Sequence, residues 1–424
     1  MSLVSIVNAR IIDPATGYDD FGTVLIQDGV IKAFGATVPP EGNIIDAEGH
    51  ICAPGLIDMR VSTGEPGREN RETIATAAGA AAAGGITSFV IMPETDPVID
   101  DMSLVDFITR RAETAPVNVY VAGALTKSLD GTTLTEIGLM SDAGAVMFSN
   151  GKAPIADAQT MRRLLAYSAS FNALIANRAI EPSLSKGAVA HESDLSSRLG
   201  LTGAPSAAER IMAERDVALA ELTGGRLLID MISSSEALDV VRRAKSRDLE
   251  IACSVSINHL ALNEVDIGDY RTFAKLDPPL RDEHDRLSLL EGINDGTIDV
   301  IVSNHDPRPA GEKRLPYAEA STGAIGLELL LAAGLSQVAD GRLDLMAFLA
   351  AVTANPATLL GLNSGRIAEG APADLIIFNH NAPWVCDSDK LLSRSKNTPL
   401  DGRRMTGRNL KTLIGGRVVF DSSL

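Results

Sequence analysis

Eight apolar, strand-like segments alternate with helix-like segments between residues 53 and 362, and this alternation restricts the fold more than any other feature. Short apolar runs bounded by turn residues are typical of buried parallel strands. Eight strand and helix units in succession predict an α/β fold with a TIM-like (β/α)8 barrel. The predicted strands cover residues 55–59, 86–92, 117–123, 145–148, 173–177, 226–232, 250–255 and 298–303.

Three of the intervening helices have recognisable ends. The first, over residues 72–83, is rich in Ala and is predicted to end at Gly84 and Gly85. The second, over residues 158–170, follows Asp157, and the third, over residues 236–247, follows a group of serines. Asp and Ser side chains accept hydrogen bonds from the first amides of a helix, and Gly commonly ends one.

Both ends of the chain have a different sequence pattern from the middle. Short β-rich runs separated by turn residues fill residues 4–52 and recur after residue 363. We predict that the two ends complete one small β-sandwich domain, residues 1–52 plus 363–424, beside a barrel domain of residues 53–362. A chain of 424 residues is long enough for one large barrel and one accessory domain.

Charge and hydropathy exclude several classes of function. The net charge of −17 opposes binding to nucleic acid or to an anionic membrane surface, because both require clustered Lys and Arg. No segment approaches the roughly 20 apolar residues of a membrane span, and the N-terminus lacks the pattern of a signal peptide. We therefore expect a cytoplasmic protein without nucleic-acid or membrane partners.

Histidine content argues against a two-metal hydrolase. In a barrel of this kind the active groups follow the C-terminal ends of the strands. Zinc pairs that activate water need about four imidazoles and a carboxylate. The chain has six His, and only His259 and His305 follow predicted barrel strands. The sequence thus predicts no bound metal.

Many local segments resemble the dihydroorotase family of the amidohydrolase superfamily, in the same order along the chain. They include PGLIDM at 54–59, EPGRENRETI at 65–74, GALTKSLDG at 123–131, RLGLTGAPSAAE at 198–209, PPLR at 278–281, EKRLPYAEA at 312–320, TANPA at 353–357 and GAPADLIIF at 370–378. The resemblance covers essentially the whole chain. It implies the metal-dependent-hydrolase barrel, zinc, and hydrolysis of cyclic amides.

The functional positions depart from the pattern that the resemblance implies. The positions that correspond to metal ligands or to the catalytic acid hold Arg60, Ser62, Asn150, Arg178, Met231 and Asn304. The positions that correspond to substrate contacts hold Gly64, Glu94, Asp277 and Arg308. No catalytic residue is therefore predicted, and Asn150 and Asn304 mark degenerate positions.

These replacements have direct chemical consequences. The amide of Asn304 cannot accept and return a proton near neutral pH as a carboxylate does. Arg60 and Arg178 offer no lone pair and repel a divalent cation. We expect the two Arg residues to pair with carboxylates of Glu94, Asp277 and Asp306 where metal ions would otherwise lie. An open alternative is an anion pocket formed by Arg60 and Arg178.

Three functions compete on this basis. The resemblance extends to degenerate dihydroorotase-like chains that partner aspartate transcarbamoylase in pyrimidine biosynthesis, so the first prediction is a catalytically inactive structural or regulatory subunit of such an assembly. The second is a cyclic amidohydrolase of dihydroorotase, hydantoinase or allantoinase type with an unconventional site. The third is a small-anion binding module built on Arg60 and Arg178. The predicted partners are a second copy of the chain, in a homodimer, and aspartate transcarbamoylase.

Overall fold

The computed structural model describes residues 3–423. Its first five strands lie at the N-terminus: β1 Leu3–Asp13, β2 Tyr18–Gln27, β3 Val30–Gly35, β4 Asn43–Asp46 and β5 Ile51–Pro54. β2 runs antiparallel to β1 and β3, whereas β4 and β5 pair with β1 in parallel. This segment is therefore a mixed sheet.

The next strands form the barrel wall. They are β6 Leu56–Val61, β7 Ile86–Ile91, β8 Asn118–Ala124, β9 Ala145–Ser149 and β10 Ile175–Arg178. After a two-residue pair, β11 Ala190–His191 and β12 Gly203–Ala204, the wall continues with β13 Leu227–Asp230, β14 Ile251–Ser256 and β15 Val300–Val302. All eight predicted strands are present. β13 ends earlier than predicted because Met231, with φ of 63°, leaves the extended conformation.

The eight wall strands run parallel and follow one another in chain order around the barrel. The first and last strands meet where Val61 pairs in parallel with His305. The backbone amide of Ser62 donates to the carbonyl of His305 at 2.8 Å. The (β/α)8 barrel predicted from the alternation is confirmed, and its C-terminal strand ends form a single mouth.

The helices surround this wall. They are α1 Ile74–Ala83, α2 Met102–Ala112, α3 Ile137–Asp142, α4 Ala158–Ala169, α5 Pro182–Ser185, α6 Asp194–Leu199, α7 Ser206–Thr223, α8 Ser235–Lys245, α9 Ile257–Ala261, α10 Glu283–Asn294, α11 Ala310–Lys313, α12 Leu330–Ala339, α13 Leu345–Val352 and α14 Ala354–Leu360. Asp157 caps α4, as predicted, by accepting from the amide of Thr160 at 2.7 Å. α1 begins two residues later than predicted because Thr73 forms its cap.

The chain returns to the first sheet at its C-terminus through β16 Leu375–Val385, β17 Arg404–Ile414 and β18 Arg417–Asp421. β16 runs antiparallel to β5 and joins the two ends of the chain in one sheet. Ile6, Ile26, Ile377 and Leu413 pack together in the core of this sheet. The domain limits at residues 52 and 363 remain a prediction. No helix within residues 3–423 is both long enough and apolar enough to span a bilayer.

Candidate active site at the barrel mouth

Alternation along the strands brings charged side chains to the barrel mouth. Side chains at positions i and i+2 of a strand point to the same face. Ala176, Leu228 and Val302 belong to the apolar cluster inside the barrel. Arg178 and Asp230 lie two residues further along the same strands, and Asn304 lies two residues after Val302. All three are likewise buried. The interior thus changes from apolar to charged in a single step at the C-terminal strand ends.

Arg60 is the first of these buried charges. The register of β6 shifts between Asp58 and Val61, and this irregularity directs Arg60 into the barrel. Its guanidinium pairs with the carboxylate of Asp230, and its Nε donates to Oδ1 of Asn304 at 3.3 Å. Burial alone would lower the pKa of Arg60, but the surrounding carboxylates, Asp230 first among them, together outweigh burial and raise this pKa. The guanidinium of Arg60 is therefore charged at neutral pH.

Asp230 is the residue that the sequence analysis missed. It also accepts from the hydroxyl of Ser254 at 2.8 Å, so both of its carboxylate oxygens are engaged. The next residue, Met231, corresponds to a metal ligand in the family resemblance, and it contributes a backbone carbonyl to the site instead. Counting in steps of two from the apolar Leu228 would have placed Asp230 in the interior.

Arg178 forms the second buried pair. Its Nη2 donates to Oδ1 of Asp277 at 3.3 Å, and its Nη1 donates to the carbonyl of Met231 at 3.2 Å. The Arg178 side chain is 1% exposed, whereas that of Asp277 is 30% exposed. Burial favours the neutral form of Asp277, but Arg178 and Lys152 outweigh it and lower its pKa. Asp277 is therefore an ionised carboxylate at the surface of the mouth.

Asp306 joins two further cations. Its carboxylate contacts Nζ of Lys152 and accepts from Nη2 of Arg308 at 3.0 Å. These cations overcome the effect of burial and lower the pKa of Asp306 to about 2. Arg308 also donates to the carbonyl of Thr322 at 2.9 Å. Lys152 and Arg308 are thus fixed by one shared carboxylate.

Glu94 lies behind Lys152 rather than beside an Arg. Its Oε1 accepts from the amide of Lys152 at 2.7 Å, and its Oε2 is inaccessible and has no hydrogen-bond partner within residues 3–423. Burial raises the pKa of Glu94, against the effect of Arg60 and Lys152. The left-handed Gly151, with φ of 63°, leaves the space that this carboxylate occupies.

Several predicted positions do not reach the mouth as side chains. Asn150 faces the turn after β8, where its Oδ1 accepts from the amides of Leu125 and Thr126 at 3.1 Å each. Ser62 contributes its backbone amide to barrel closure. Gly64 has φ of 105° and places no side chain. Asn304 is brought in and donates to the carbonyl of Asp277 at 3.3 Å.

The two histidines near the mouth are engaged elsewhere. Nε2 of His259 lies 3.2 Å from the carbonyl of Pro278, and burial lowers the pKa of this ring to about 4. His305 accepts from the amide of Gly326 at 3.2 Å, and its Nε2 lies 3.6 Å from Glu72. One nitrogen of each ring is thus bonded to the protein, while Nδ1 of His259 and Nε2 of His305 are buried without a hydrogen-bond partner within residues 3–423.

A cavity of about 280 Å³ opens beside these charges. Its wall includes the polar residues Lys152, Asp277 and Thr322. Apolar residues of the wall include Ile180, Val189, Leu276 and Pro279. Its size suits a small ring, and its mixture of apolar wall with a few polar groups is typical of small-molecule sites. Asp277 and Lys152 are the two charged groups that a bound molecule would meet.

Known proteins resemble this chain over nearly its full length. Family models described as dihydro-orotase-like and as amidohydrolase family match residues 49–237 and 336–420. The dihydroorotase of Anaplasma phagocytophilum (strain HZ) is 39% identical over 98% of this chain and 95% of that protein. This chain belongs to the dihydroorotase family. The dihydroorotase of Anaeromyxobacter dehalogenans (strain 2CP-C) is 38% identical over 98% of this chain and 97% of its own length.

Two solved structures have the same architecture as this chain. The L-hydantoinase of Arthrobacter aurescens superposes with a TM-score of 0.90 at 25% identity, covering 99% of this chain and 96% of that protein. The dihydropyrimidinase of Brevibacillus agri NCHU1002 superposes with a TM-score of 0.87 at 20% identity and covers 99% and 95% of the two chains. The barrel of this dihydroorotase-family chain is therefore of the amidohydrolase type.

Membership of the dihydroorotase family corrects the first functional prediction. A catalytically inactive subunit was expected from the replaced ligands. That expectation is wrong, because the curated relatives that share 36–39% of their residues with this chain over almost its whole length are named dihydroorotase. The family points to a cyclic amidohydrolase. The anion-module alternative is not favoured, since Arg60 and Arg178 are buried and paired.

The prediction of no metal is contradicted in the same way. The family implies zinc, and His191, Asp282 and Asp285 place potential ligand atoms within 4.8 Å of one another. His191 Nδ1, however, lies 2.9 Å from a guanidinium nitrogen of Arg281, so a metal would bind there only if this contact were lost. Asp285 is engaged by the amide and hydroxyl of Ser235 at 2.7 and 2.8 Å.

The residues at the barrel mouth do not fit the zinc pair that the family implies. Zinc requires imidazole, thiolate or carboxylate ligands around an open position. Arg60 and Arg178 place permanent cations in the interior, and their pairing engages the carboxylates of Asp230 and Asp277. The chemistry of this mouth is therefore derived from its own side chains.

Proposed function

We propose that this chain is a cyclic amidohydrolase whose unconventional active site is the charged mouth of the barrel. The observation that carries the proposal is the full-length similarity to proteins named dihydroorotase. The architecture shared with an L-hydantoinase supports the same reaction class, the addition of water to a cyclic amide. The cavity beside Asp277 gives the ring a place to bind.

Asp277 is the proton acceptor in this proposal. Its side chain is partly exposed in the cavity wall, and its lowered pKa keeps it ionised at neutral pH. Water held by Asp277 adds through its oxygen to the ring carbonyl carbon while the carboxylate takes the proton. A carboxylate with a low pKa is a weak base, so we expect slow turnover.

Lys152 supplies a positive charge in the wall of the same cavity. Its ammonium lines the cavity, and its contact with Asp306 fixes its position. A fixed cation stabilises the oxygen that gains negative charge when water adds to the carbonyl. The carbon–nitrogen bond of the ring then breaks, and the proton held by Asp277 passes to the departing nitrogen. The product is the ring-opened acid.

The test is ring opening by the purified chain, with its metal content measured on the same sample. Dihydroorotate, 5,6-dihydrouracil, hydantoin and allantoin are the probes. We expect turnover at least about 100-fold above the uncatalysed rate, and Asp277→Asn should lower kcat/KM by about 100-fold because a positioned base contributes about that much. Asp142→Asn, which changes an exposed residue at the end of α3, is the matched control.

Two outcomes would contradict the proposal. One is no turnover of any of the four probes by a folded, homogeneous preparation. The other is an Asp277→Asn variant that retains wild-type kcat/KM and wild-type circular dichroism, which would remove the mouth carboxylate from the reaction. Asp277→Glu keeps the charge next to Arg178 and should retain partial activity, which separates loss of the base from loss of the fold.

The partner predictions remain proposals that rest on the family resemblance. We propose a homodimer, association with aspartate transcarbamoylase, and a cytoplasmic location. None of these requires an inactive barrel. Analytical ultracentrifugation of the chain alone, and then mixed with aspartate transcarbamoylase from the same organism, tests the first two. A monomer that does not change its sedimentation on mixing would contradict both.

A further inference from the structure

Cations at the barrel mouth are already neutralised by the protein. Arg60 pairs with Asp230, and Arg178 pairs with Asp277. Lys152 and Arg308 share the carboxylate of Asp306, and Arg308 also lies 3.4 Å from Glu312. A substrate carboxylate entering the cavity would have to displace one of these partners.

Within residues 3–423, the cavity wall offers no cation besides Lys152, whose ammonium already contacts Asp306. Lys152 is its one basic residue and Asp277 its one acidic residue, and the rest of the lining is apolar or bears hydroxyl groups. The nearby Lys275 and Lys313 are buried and donate to backbone carbonyls, at 2.9 Å to Ala318 and 2.8 Å to Ser321. Both ammonium groups are therefore already hydrogen-bonded to the backbone of neighbouring loops.

Position 64, which corresponds to a substrate contact in the family resemblance, cannot supply a cation in this backbone. Gly64 has φ of 105°, a conformation that residues with a side chain rarely adopt. A Cβ atom there would lie 2.5 Å from the carbonyl oxygen of Arg68. The chain conformation, and not only the residue type, therefore excludes a side chain at this point.

We infer that the cavity accepts an uncharged cyclic amide, such as an unsubstituted dihydropyrimidine or hydantoin ring, in preference to a ring that carries a carboxylate. A carboxylate on the ring would have to compete with Asp306 for Lys152 and would lie close to the carboxylate of Asp277, whereas the apolar residues of the wall suit an uncharged ring. The inference rests on the proposed function and specifies its substrate class.

The test compares two rings that differ only by the carboxylate, 5,6-dihydrouracil and dihydroorotate. We expect kcat/KM for ring opening to be at least tenfold higher for dihydrouracil. A ratio of one or below would overturn the inference while leaving the proposed function in place. If neither ring is opened, the proposed function fails. Calorimetric titration of the same two rings then tests the inference, which stands only if dihydrouracil binds more tightly than dihydroorotate.

Variants at Thr322 make the test specific to charge. Thr322 lines the cavity and is partly exposed, and Arg308 bonds to its backbone carbonyl. Its hydroxyl lies 3.5 Å from Nζ of Lys152, a contact that both variants remove. Thr322→Lys adds a cation to the wall, and Thr322→Met adds similar length without charge. The dihydroorotate to dihydrouracil ratio of kcat/KM should rise at least fivefold in Thr322→Lys relative to Thr322→Met. An equal ratio in the two variants contradicts the electrostatic argument.

Discussion

The barrel interior has two layers that come from the same strands and are held together in opposite ways. Val90, Leu228 and Val302 belong to the lower layer, which is an apolar cluster. The layer above it, at the mouth, holds Arg60 and Asp230 as a buried ion pair. Apolar packing tolerates small changes of shape, whereas a buried charge depends on its partner. The mouth is therefore the more vulnerable layer.

Removal of one member of the buried pair should have the largest effect. Asp230→Leu leaves the guanidinium of Arg60 buried without a counter-charge, and the free energy of unfolding should fall by about 3–5 kcal/mol. Urea denaturation monitored by circular dichroism measures this change. The double variant Arg60→Met with Asp230→Leu extends the apolar layer upward and should recover most of the loss. A cost below about 1 kcal/mol for the single variant would break the comparison.

Acid should weaken the mouth through His259. Burial lowers the pKa of this ring from 6.5 to about 4, so the folded protein favours the neutral ring. The contribution of the neutral ring to the free energy of unfolding is complete above pH 6.5. It is lost as the pH falls from 6.5 towards 4, because the ring binds a proton in the unfolded chain before it does so in the folded protein. The difference of about 2.5 in pKa corresponds to about 3 kcal/mol.

Matched variants isolate this contribution. His259→Gln keeps a donor for the carbonyl of Pro278 but does not titrate, and the exposed His284→Gln is the control. The free energy of unfolding of the wild type should fall between pH 7 and pH 4. In His259→Gln the fall over the same pH range should be smaller by about 3 kcal/mol. Identical pH dependence in His259→Gln and wild type would show that this ring is not held neutral by burial.

An exposed ion pair should have the smallest effect and so sharpen the contrast. Arg110 and Asp106 pair across one turn of α2, with 72% and 48% of their side chains exposed. Solvent and salt screen such a pair. Arg110→Ala should change the free energy of unfolding by about 0.5 kcal/mol or less in the same urea experiment. A cost approaching that of Asp230→Leu would mean that burial is not what distinguishes the mouth.

Much of the fold could be predicted from the sequence because strand and helix patterns are local. The eight wall strands and the cap at Asp157 follow from short apolar runs and single polar residues. The direction of individual mouth side chains was harder to predict. The register shift in β6 turns Arg60 inward, and the turn at Gly151 leaves Asn150 facing Thr126. Neither side-chain direction follows from an alternation pattern in the sequence.

The pairing of charges was predictable in kind and not in detail. A buried Arg needs a carboxylate, and the sequence supplied several candidates. Arg178 meets Asp277, whereas Arg60 meets Asp230 and Glu94 instead bonds to the backbone of Lys152. Which carboxylate reaches which Arg depends on how far apart the strand ends lie around the barrel. Replaced ligand positions also led to the wrong conclusion about activity.

The central claim is that the charged mouth opens cyclic amides, and the most direct measurement is the rate of 5,6-dihydrouracil ring opening by wild-type and Asp277→Asn protein prepared identically. The account predicts wild-type turnover at least about 100-fold above background and a fall in kcat/KM of about 100-fold in the variant. Wild-type turnover at the background rate, from protein that is folded and homogeneous, would contradict it.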